Sequence, residues 1–357
     1  MTATRTTSTA AAAVPARRQG ANAAVLAFDV EVRNVERLSA NFQRITFGGE
    51  CLREFGVQGS TDDLRIKVVI PPEAADGTRA PLPPIDCDDA GWYRNWLAMD
   101  ARARGSMRTY TVRASRCSAP EPEIDVDFVL HFDADGVGGP ASTWAAAAQP
   151  GDRVTVIGPN AVHCVTAESY GGIEWRPGMA QHVLLAGDET AVPAIASILE
   201  NLPEGFTGHA LLEVPDAGDI QALTTASQVN ISWLPRNGRA HGEALEAAVR
   251  DAVAVPGYAT VERAETAAPV PARRPVLEDV DIDSVILWET PARLAPEVVK
   301  GSPSPNTPAG ALPFYAWIAG EAAVVRGLRR YLVRDAGIDR KQVAFMGYWR
   351  QGRAEAS

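Results

Sequence analysis

The pattern of apolar segments changes near Pro177, and this change constrains the fold more than any other feature of the sequence. Before it, short β-like runs such as FDVEVRNVERLS, FQRITFGG and DDLRIKVVIP follow one another with little helix between them. After it, strand-like runs such as QHVLLAGDE and FYAWIAGE alternate with helical runs such as TAVPAIASILENL and HGEALEAAVRDAV. The first pattern predicts a small antiparallel β-barrel, and the second predicts βαβ units around a parallel sheet.

The 357 residues are therefore expected to form two domains. We place the β-barrel at 23–178 and the α/β domain at 179–357. The N-terminal stretch 1–22 is predicted to be a disordered tail. A proline- and alanine-rich stretch, 262–312, is predicted to be an insertion or an extended connection with one candidate strand, DSVILW.

Charge and cysteine content narrow the class of partner. Basic residues number 34 and acidic residues 44, so the net charge is −10, which argues against a general nucleic-acid binder. No apolar run is long enough to cross a membrane, and the N-terminal one is too short for a signal peptide. The four cysteines are widely spaced, which is atypical of a metal site or an iron–sulfur cluster. We therefore expect a cytoplasmic protein with neither a nucleic-acid nor a membrane partner.

One strand-like motif, RTYTVR, combines the residue types that a flavin requires. On a β-strand its side chains alternate between two faces, with Arg108, Tyr110 and Val112 on one and Thr109, Thr111 and Arg113 on the other. A flavin needs an aromatic or apolar surface beside its ring, hydrogen bonds to the polar ring edge, and a guanidinium for its diphosphate. The motif is thus a candidate flavin-binding strand. The alternative interpretation is an ordinary amphipathic strand.

A helix preceded by glycines follows the next strand and is a candidate diphosphate site. Gly139 and Pro140 lead into it, and Ala141 and Ser142 lie in its first turn. A helix N-terminus offers N–H groups and the positive end of a dipole, which together favour a diphosphate. His131, which ends the preceding strand, is a candidate flavin contact. The alternatives are a plain capped helix and a structural histidine.

Two strand-to-helix turns in the second half are candidate sites for a nicotinamide dinucleotide, because open α/β sheets bind ligands at the carboxyl ends of their strands. The glycine fingerprint G-x-G-x-x-G is absent from both turns, and helix capping by Asp188 or Thr190 is the alternative for the first. The candidate residues are Asp188, Glu189, Thr190 and Ala191 in the first turn, and Gly320, Glu321 and Arg326 in and after the second.

Six segments in collinear order resemble the siderophore-interacting proteins, the FAD-dependent ferric-siderophore reductases of the ferredoxin-reductase superfamily. The segments are MRTYTVR, DFVLHF…GGPASTWA, GDRVTVIGP, AGDETAVPAIASILE, YAWIAGEAAVVRGLRRYL and GYWRQG. The resemblance implies an FAD-binding barrel, an NAD(P)H-binding α/β domain and a cytoplasmic enzyme that reduces Fe(III) in an imported siderophore. It also implies a cleft in which basic residues hold the anionic ferric complex.

The resemblance also gives roles to individual residues. The RTYTVR strand, His131 and Gly139–Ser142 match the family's flavin and diphosphate segments, and Asp188–Thr190 match the turn where the domains and the nicotinamide meet. Lys67 matches a strand lysine near the substrate cleft, and Arg350 is expected to be a second basic residue there. Trp349, with Tyr348, is expected near the flavin. The sequence departs from the family after Gly158-Pro159, where Asn160 replaces the usual arginine.

The reaction implied is electron transfer from NADPH or NADH through FAD to the iron, with no protein acid or base required. A ferredoxin is an alternative electron donor. Glu213 ends the second strand of the α/β domain and would favour NADH in a conventional dinucleotide fold. Two other functions stay open: a reductase that serves ferredoxin, flavodoxin or free flavin, and a siderophore-binding module without catalysis.

Overall fold

The computed structural model describes residues 23–73, 79–133, 135–163, 170–253, 287–291 and 314–352. The predicted N-terminal tail and most of the predicted 262–312 insertion lie outside these residues. Within the described ranges, no helix has both the length and the apolar character that a membrane span requires.

The first half of the chain forms a closed six-stranded barrel, as its short alternating runs predict. The strands follow the order β1-β2-β5-β4-β3-β6, and every pairing is antiparallel. Phe28, Phe47 and Phe128 are fully buried in the core. The strands are β1 (Val25–Arg37), β2 (Phe42–Gly48), β3 (Arg65–Ile70), β4 (Ser106–Ser115), β5 (Glu123–Val129) and β6 (Arg153–Pro159).

Within the described residues, three short α-helices accompany the barrel. The helices α1 (Trp92–Ala98) and α2 (Ala101–Arg104) lie between β3 and β4, where the run WYRNWLAMDARAR predicts a helix. The third, α3 (Pro140–Ala147), packs against β2, β3, β4 and β5. Its Trp144 indole stacks on the Phe47 ring at 6.2 Å, so the predicted helix after the glycines is anchored to the barrel core.

The second half forms a six-stranded sheet of order β10-β12-β11-β7-β8-β9. The last five strands of this order are parallel, and β10 pairs antiparallel at the edge. The predicted parallel α/β architecture is confirmed. The elements are β7 (His182–Gly187), α4 (Val192–Asn201), β8 (Thr207–Val214), β9 (Gln228–Pro235), α5 (Glu243–Ala252), β10 (Trp288–Glu289), β11 (Phe314–Glu321), α6 (Ala322–Arg329) and β12 (Val343–Trp349).

Two predicted elements differ from the structure. The run EAAVVRGLRRYLVRDAG predicts one continuous helix, but α6 ends at Arg329 and a π-helical turn, Arg330–Asp335, follows it. The candidate strand DSVILW contributes its last residue, Trp288, to β10, and the residues 283–286 lie outside the described part of the chain.

The two domains meet along a shared hydrophobic cluster, in which α4 packs against β4. Polar side chains also cross this seam. Arg113 of β4 donates to Glu200 of α4, Asn41 donates to Asp219 at 2.8 Å, and Trp317 of β11 donates to Asp63 at 2.9 Å. Each of these contacts joins the barrel to the α/β domain, and together they fix the relative position of residues on the two sides of the seam.

Candidate functional site

Two buried carboxylates lie where the strand order of the sheet reverses. The carboxyl ends of β7 and β11 border this point, which is where open α/β sheets bind ligands. Asp188 and Glu189 directly follow β7, and each is 1% exposed. Gly320, at φ 144°, makes room for them, because a Cβ there would lie 2.6 Å from Asp188 Oδ2.

The Asp188 carboxylate accepts four hydrogen bonds. Oδ1 accepts from the backbone N–H of Thr190 at 2.9 Å and from its hydroxyl at 2.5 Å. Oδ2 accepts from the backbone N–H of Glu321 at 2.7 Å and from the indole Nε1 of Trp349 at 2.8 Å. Burial, and next the charge of Glu189, raise the pKa of Asp188 above its ordinary value. Asp188 therefore ties the ends of β7, β11 and β12 together.

The Glu189 carboxylate connects the α/β domain to the barrel. Arg236 donates to both of its oxygens, at 2.6 and 2.9 Å. The ring Nε2 of His131, which follows β5 of the barrel, lies 3.0 Å from Oε1. Burial alone would raise the pKa of Glu189, but its contacts with His131, His241 and Arg236 outweigh this and hold the pKa well below the ordinary value. Glu189 is thus an ionised acceptor shared by both domains.

The sequence did not predict the observed roles of three members of this cluster, Arg236, His241 and Glu213. Arg236 follows β9, and His241 precedes α5; neither belongs to a motif that marks it. Glu213, which the strand-end position suggests as a ribose ligand for NADH, is fully buried and accepts from Arg236, from Gly242 N at 2.8 Å and from Leu245 N at 3.0 Å. Its carboxylate caps the start of α5, so its position gives no argument for NADH.

The same cluster brings together the types of ligand that metals prefer, since oxygens of Asp188 and Glu189 and a nitrogen of His241 lie within 4.8 Å of one another. The Glu189 oxygens are, however, occupied by the guanidinium of Arg236, and those of Asp188 by four donors. A cation would have to displace these donors. The arrangement therefore serves to hold side chains rather than a metal.

Anion-binding capacity differs between the three candidate helix N-termini. Glu321 caps α6 by accepting from Ala323 N and Val324 N, and Asp188 accepts from Thr190 N before α4. Neither α3 nor α4 has a capping side chain or an acidic residue in its first turn, but α4 begins at the fully buried Ala191 and Val192, whereas Gly139 and Pro140 are exposed at the start of α3. A Cβ on Gly139 would meet nothing within 4 Å. The start of α3 is thus the one of the three that fits the diphosphate of a dinucleotide.

The segment that leads into α3 is held by its own hydrogen bonds. The Ser142 hydroxyl accepts from His131 N at 3.1 Å, and Ser142 is buried at 8% exposure. Ala141 is buried in the core with it. Ser142 therefore positions the end of β5, and the exposed residues Gly139 and Pro140 remain the surface of this turn.

The two arginines of the RTYTVR strand have different surroundings. The Arg113 side chain is 9% exposed and forms a two-point ion pair with Glu200 of α4, with Asp127 at 3.8 Å. Arg108 donates to the carbonyl of Met107 at 2.9 Å, and no described carboxylate pairs with it. Arg108 therefore keeps most of its donors available for a ligand, whereas Arg113 joins the two domains.

The other residues of this strand are buried or half-buried. The Tyr110 ring lies 4.3 Å from that of Phe128, at the edge of the barrel core. Val112 is fully buried and Thr111 is 6% exposed. Tyr110 is half-buried and lies on the same face as Arg108, as the predicted alternation requires.

The candidate basic residues lie on separate elements. Lys67 of β3 donates to the Thr109 hydroxyl of β4 at 2.6 Å, on the face opposite Tyr110. Arg350 directly follows β12, and Arg326 lies in α6; both are half-buried. The structure thus brings five of the predicted residues into contact in one hydrogen-bonded cluster, and Lys67, Arg108 and Arg326 lie outside it. The five are His131, Asp188, Glu189, Thr190 and Trp349, with the backbone of Glu321.

Comparison with known families covers most of the chain. Residues 31–163 match the model of the siderophore-interacting FAD-binding domain, and residues 180–352 match that of the siderophore-interacting protein. The two matches divide at the seam between the barrel and the sheet.

The chain is similar to three curated relatives. An uncharacterised protein of Mycobacterium tuberculosis is 32% identical over 91% of this chain and 90% of its own length. The NADPH-dependent ferric-chelate reductase of Escherichia coli is 31% identical over 59% of this chain and 72% of its own. The ferric vibriobactin reductase ViuB of Vibrio cholerae is 33% identical over 56% of this chain and 63% of its own.

A solved structure is similar to this chain over most of its length. A siderophore utilization protein from T. fusca superposes with a TM-score of 0.60 and 27% identity, over 94% of this chain and 96% of its own. Both domains therefore have a counterpart in that structure.

Proposed function

This chain belongs to the siderophore-interacting protein family, and we propose that it reduces Fe(III) in a ferric siderophore with electrons from NAD(P)H. Its barrel is the family's FAD-binding domain. FAD supplies, when bound, a carrier that accepts two electrons together and releases them one at a time. The names of the V. cholerae and E. coli relatives, both ferric reductases, support this proposal.

The residues that would hold FAD are those of the barrel edge. The start of α3, at Gly139 and Pro140, has the open surface and uncapped helix end that favour a diphosphate. Arg108 carries the guanidinium whose geometry matches two phosphate oxygens. Tyr110 offers an aromatic ring on the same face of the strand as Arg108. His131 and Trp349 lie at the seam, with their ring centroids 5.4 Å apart. These groups would bind and orient FAD, and the electron-transfer chemistry belongs to the cofactor.

The observation that carries the proposal is the contact between His131 and Glu189. It joins the FAD-binding barrel to the carboxyl ends of the parallel strands, where α/β sheets bind ligands. An electron donor at that edge would therefore lie beside a flavin on the barrel. We propose a nicotinamide dinucleotide as donor. Since Glu321 caps the start of α6, and Ala191 and Val192 at the start of α4 are fully buried, Arg326 is the candidate for its phosphates.

Substrate binding is proposed to depend on positive charge. Ferric siderophores are anionic complexes with hard oxygen ligands, which hold Fe(II) less well than Fe(III), so reduction loosens the chelate. Lys67 and Arg350 are the proposed basic residues of the cleft. Asn160 cannot replace the family's usual arginine there, because it is 3% exposed and binds Ala23 O and Val162 N through its amide. We expect a cleft with less positive charge than is usual in the family.

A comparison of electron acceptors tests this function. FAD-loaded protein with NADPH is offered ferric catecholate, hydroxamate and citrate-type siderophores, and separately ferredoxin, flavodoxin and free flavin. We expect the ferric siderophores to be reduced fastest, with Fe(II) captured by a chelator. Faster reduction of the protein carriers or of free flavin would contradict the proposal. Tight siderophore binding without reduction would identify a binding module. We also propose a cytoplasmic location, where NAD(P)H is available.

A further inference from the structure

His241 lies between the two buried carboxylates of the cluster. Its ring Nε2 is 3.6 Å from Asp188 Oδ2 and 3.6 Å from Glu189 Oε2, and its side chain is 14% exposed. Both ring nitrogens are inaccessible to solvent, and within the described residues neither has a partner at hydrogen-bond distance. The imidazole also meets the Trp349 indole edge to face, with centroids 5.1 Å apart. His241 therefore contacts both the acceptor and the donor of the Asp188–Trp349 hydrogen bond.

The surroundings of Asp188 fit its ionised form. Each of its oxygens already accepts two hydrogen bonds, from Thr190, Glu321 and Trp349. A carboxylate has about four acceptor positions, so a proton on either oxygen would displace one of these donors. On Oδ2 the donors are a backbone N–H and the indole of Trp349. Protonation there would weaken the hold on that indole.

Charge balance around Asp188 requires another cation. Asp188 and Glu189 are consecutive after β7, and Glu213, at the end of β8, shares Arg236 with Glu189. Arg236 pairs with Glu189 and Glu213 but is not within ion-pair distance of Asp188. His131 approaches Glu189 from the barrel. Among the described residues, His241 is thus the cationic group within ion-pair distance of Asp188.

We propose that His241 is a positioning residue whose imidazolium keeps Asp188 ionised and so fixes the indole of Trp349 at the seam. This inference rests on the proposed function in that Trp349 is expected to lie beside the flavin. The pKa of His241 is raised, because its interactions with Glu189 and Asp188 outweigh the burial that would lower it, and this supports the charged form. A neutral group at this position would leave Asp188 beside Glu189 without a counter-charge. Asp188 would then bind a proton more tightly.

The test follows the indole N–H of Trp349 by NMR in the protein without FAD. The protein has 8 tryptophans, and Trp349→Phe identifies the resonance by its loss. As the pH is lowered, this resonance shifts when Asp188 is protonated. We expect the midpoint to rise by about one to three pH units in His241→Gln, because an opposite charge at this distance has been removed. His241→Lys restores a cation and should return the midpoint towards that of the wild type.

Two results would overturn the proposal. One is an unchanged midpoint in His241→Gln, and the other is a midpoint in His241→Lys that equals the one in His241→Gln. If His241→Gln does not fold, the reciprocal measurement replaces it. In Asp188→Asn the pKa of His241, followed with ¹³C-labelled histidine and assigned by replacing the other histidines in turn, should fall by about one unit or more. An unchanged His241 pKa would contradict the proposal.

These measurements are independent of the proposed reaction. They use protein without cofactor, so an absence of ferric reductase activity would leave the result for His241 intact. Conversely, a failed His241 test would leave the acceptor comparison unaffected. A merely structural role for His241 would change stability but would produce neither the pH shift nor its reversal by lysine.

Discussion

The Nε2 atom of His131, on the FAD-binding barrel, lies 3.0 Å from Oε1 of Glu189, at the end of the first parallel strand of the α/β domain. The two residues are 58 positions apart and belong to different domains. Glu189 also accepts from both terminal nitrogens of the Arg236 guanidinium. This relationship places a polar, ionised group at the seam, and it gives the first prediction.

Replacing Glu189 by glutamine should destabilise the protein strongly. The Arg236 side chain is 12% exposed and, among the described residues, would keep Glu213, at 3.3 Å, as its one carboxylate partner. Breaking a buried ion pair from one side costs about 3–5 kcal/mol, because the remaining charge stays buried. Glu200→Gln is the matched control at the same seam, since Glu200 is 33% exposed and its loss should cost about 1 kcal/mol. Urea unfolding measures both, and equal losses would contradict this account of the cluster.

The two arginines of the flavin strand should differ in their effect on FAD affinity. Arg108→Leu removes a guanidinium that no described carboxylate pairs with. The substitution should weaken FAD binding about tenfold or more, as for a lost charge-assisted hydrogen bond. Arg113→Leu removes the partner of Glu200 and should weaken FAD binding by less than threefold. Fluorescence titration with FAD measures both affinities. A larger effect of Arg113 would reassign the diphosphate contact.

Stability should depend on pH through Asp63. This carboxyl is fully buried, and burial raises its pKa to about 6, against the hydrogen bonds from the N–H groups of Trp175, Trp317 and Glu174. The rise from 3.8 to about 6 corresponds to about 3 kcal/mol. Because the folded-state pKa is raised, this stabilisation is fully present below about pH 4 and is lost as the pH rises through about 6.

Comparison with Asp63→Asn isolates this effect. The unfolding free energy of the wild type relative to the variant should fall by about 3 kcal/mol between about pH 4 and about pH 7. A relative stability that stays constant, or that rises with pH, would show that the three N–H donors stabilise the ionised carboxylate more than burial disfavours it.

Loss of the Lys67 charge should weaken substrate binding selectively. Lys67→Met should raise KM for an anionic ferric siderophore several-fold and reduce the dependence of KM on salt, since the screened attraction is gone. Lys341→Met is a matched control, because Lys341 lies before the start of β12, at the opposite end of that strand from Trp349. Equal effects of the two substitutions on KM would argue against a specific role for Lys67.

The fold was largely predictable because it depends on local patterns. The alternation in β3 and β4, with Lys67 opposite Thr109 in the observed register, and the strand–helix order after Pro177 are both visible in the sequence. The resemblance also marked Asp188, Glu189 and Trp349, which meet in the structure. These residues sit at strand ends, where chain order alone indicates that they share an edge.

The partners of these residues could not be predicted, because they are distant in sequence and carry no motif. Arg236 pairs with Glu189, 47 positions away in the sequence, and Glu200 pairs with Arg113, 87 positions away. Glu213 stands where a ribose ligand is expected, yet its carboxylate is used by the backbone of α5. Local sequence shows that a side chain is charged, but only the packed structure shows which opposite charge already holds it.

The central claim is that this chain passes electrons from NAD(P)H through a bound flavin to ferric siderophores. The most direct test is the visible spectrum of the FAD-loaded protein under anaerobic conditions, first with one equivalent of NADPH and then with a ferric siderophore and an Fe(II) chelator. We predict that the flavin absorbance bleaches with NADPH and returns with the siderophore, while the Fe(II) complex of the chelator appears. A flavin that stays reduced in the presence of every ferric siderophore, or a protein that binds no FAD, would contradict the claim.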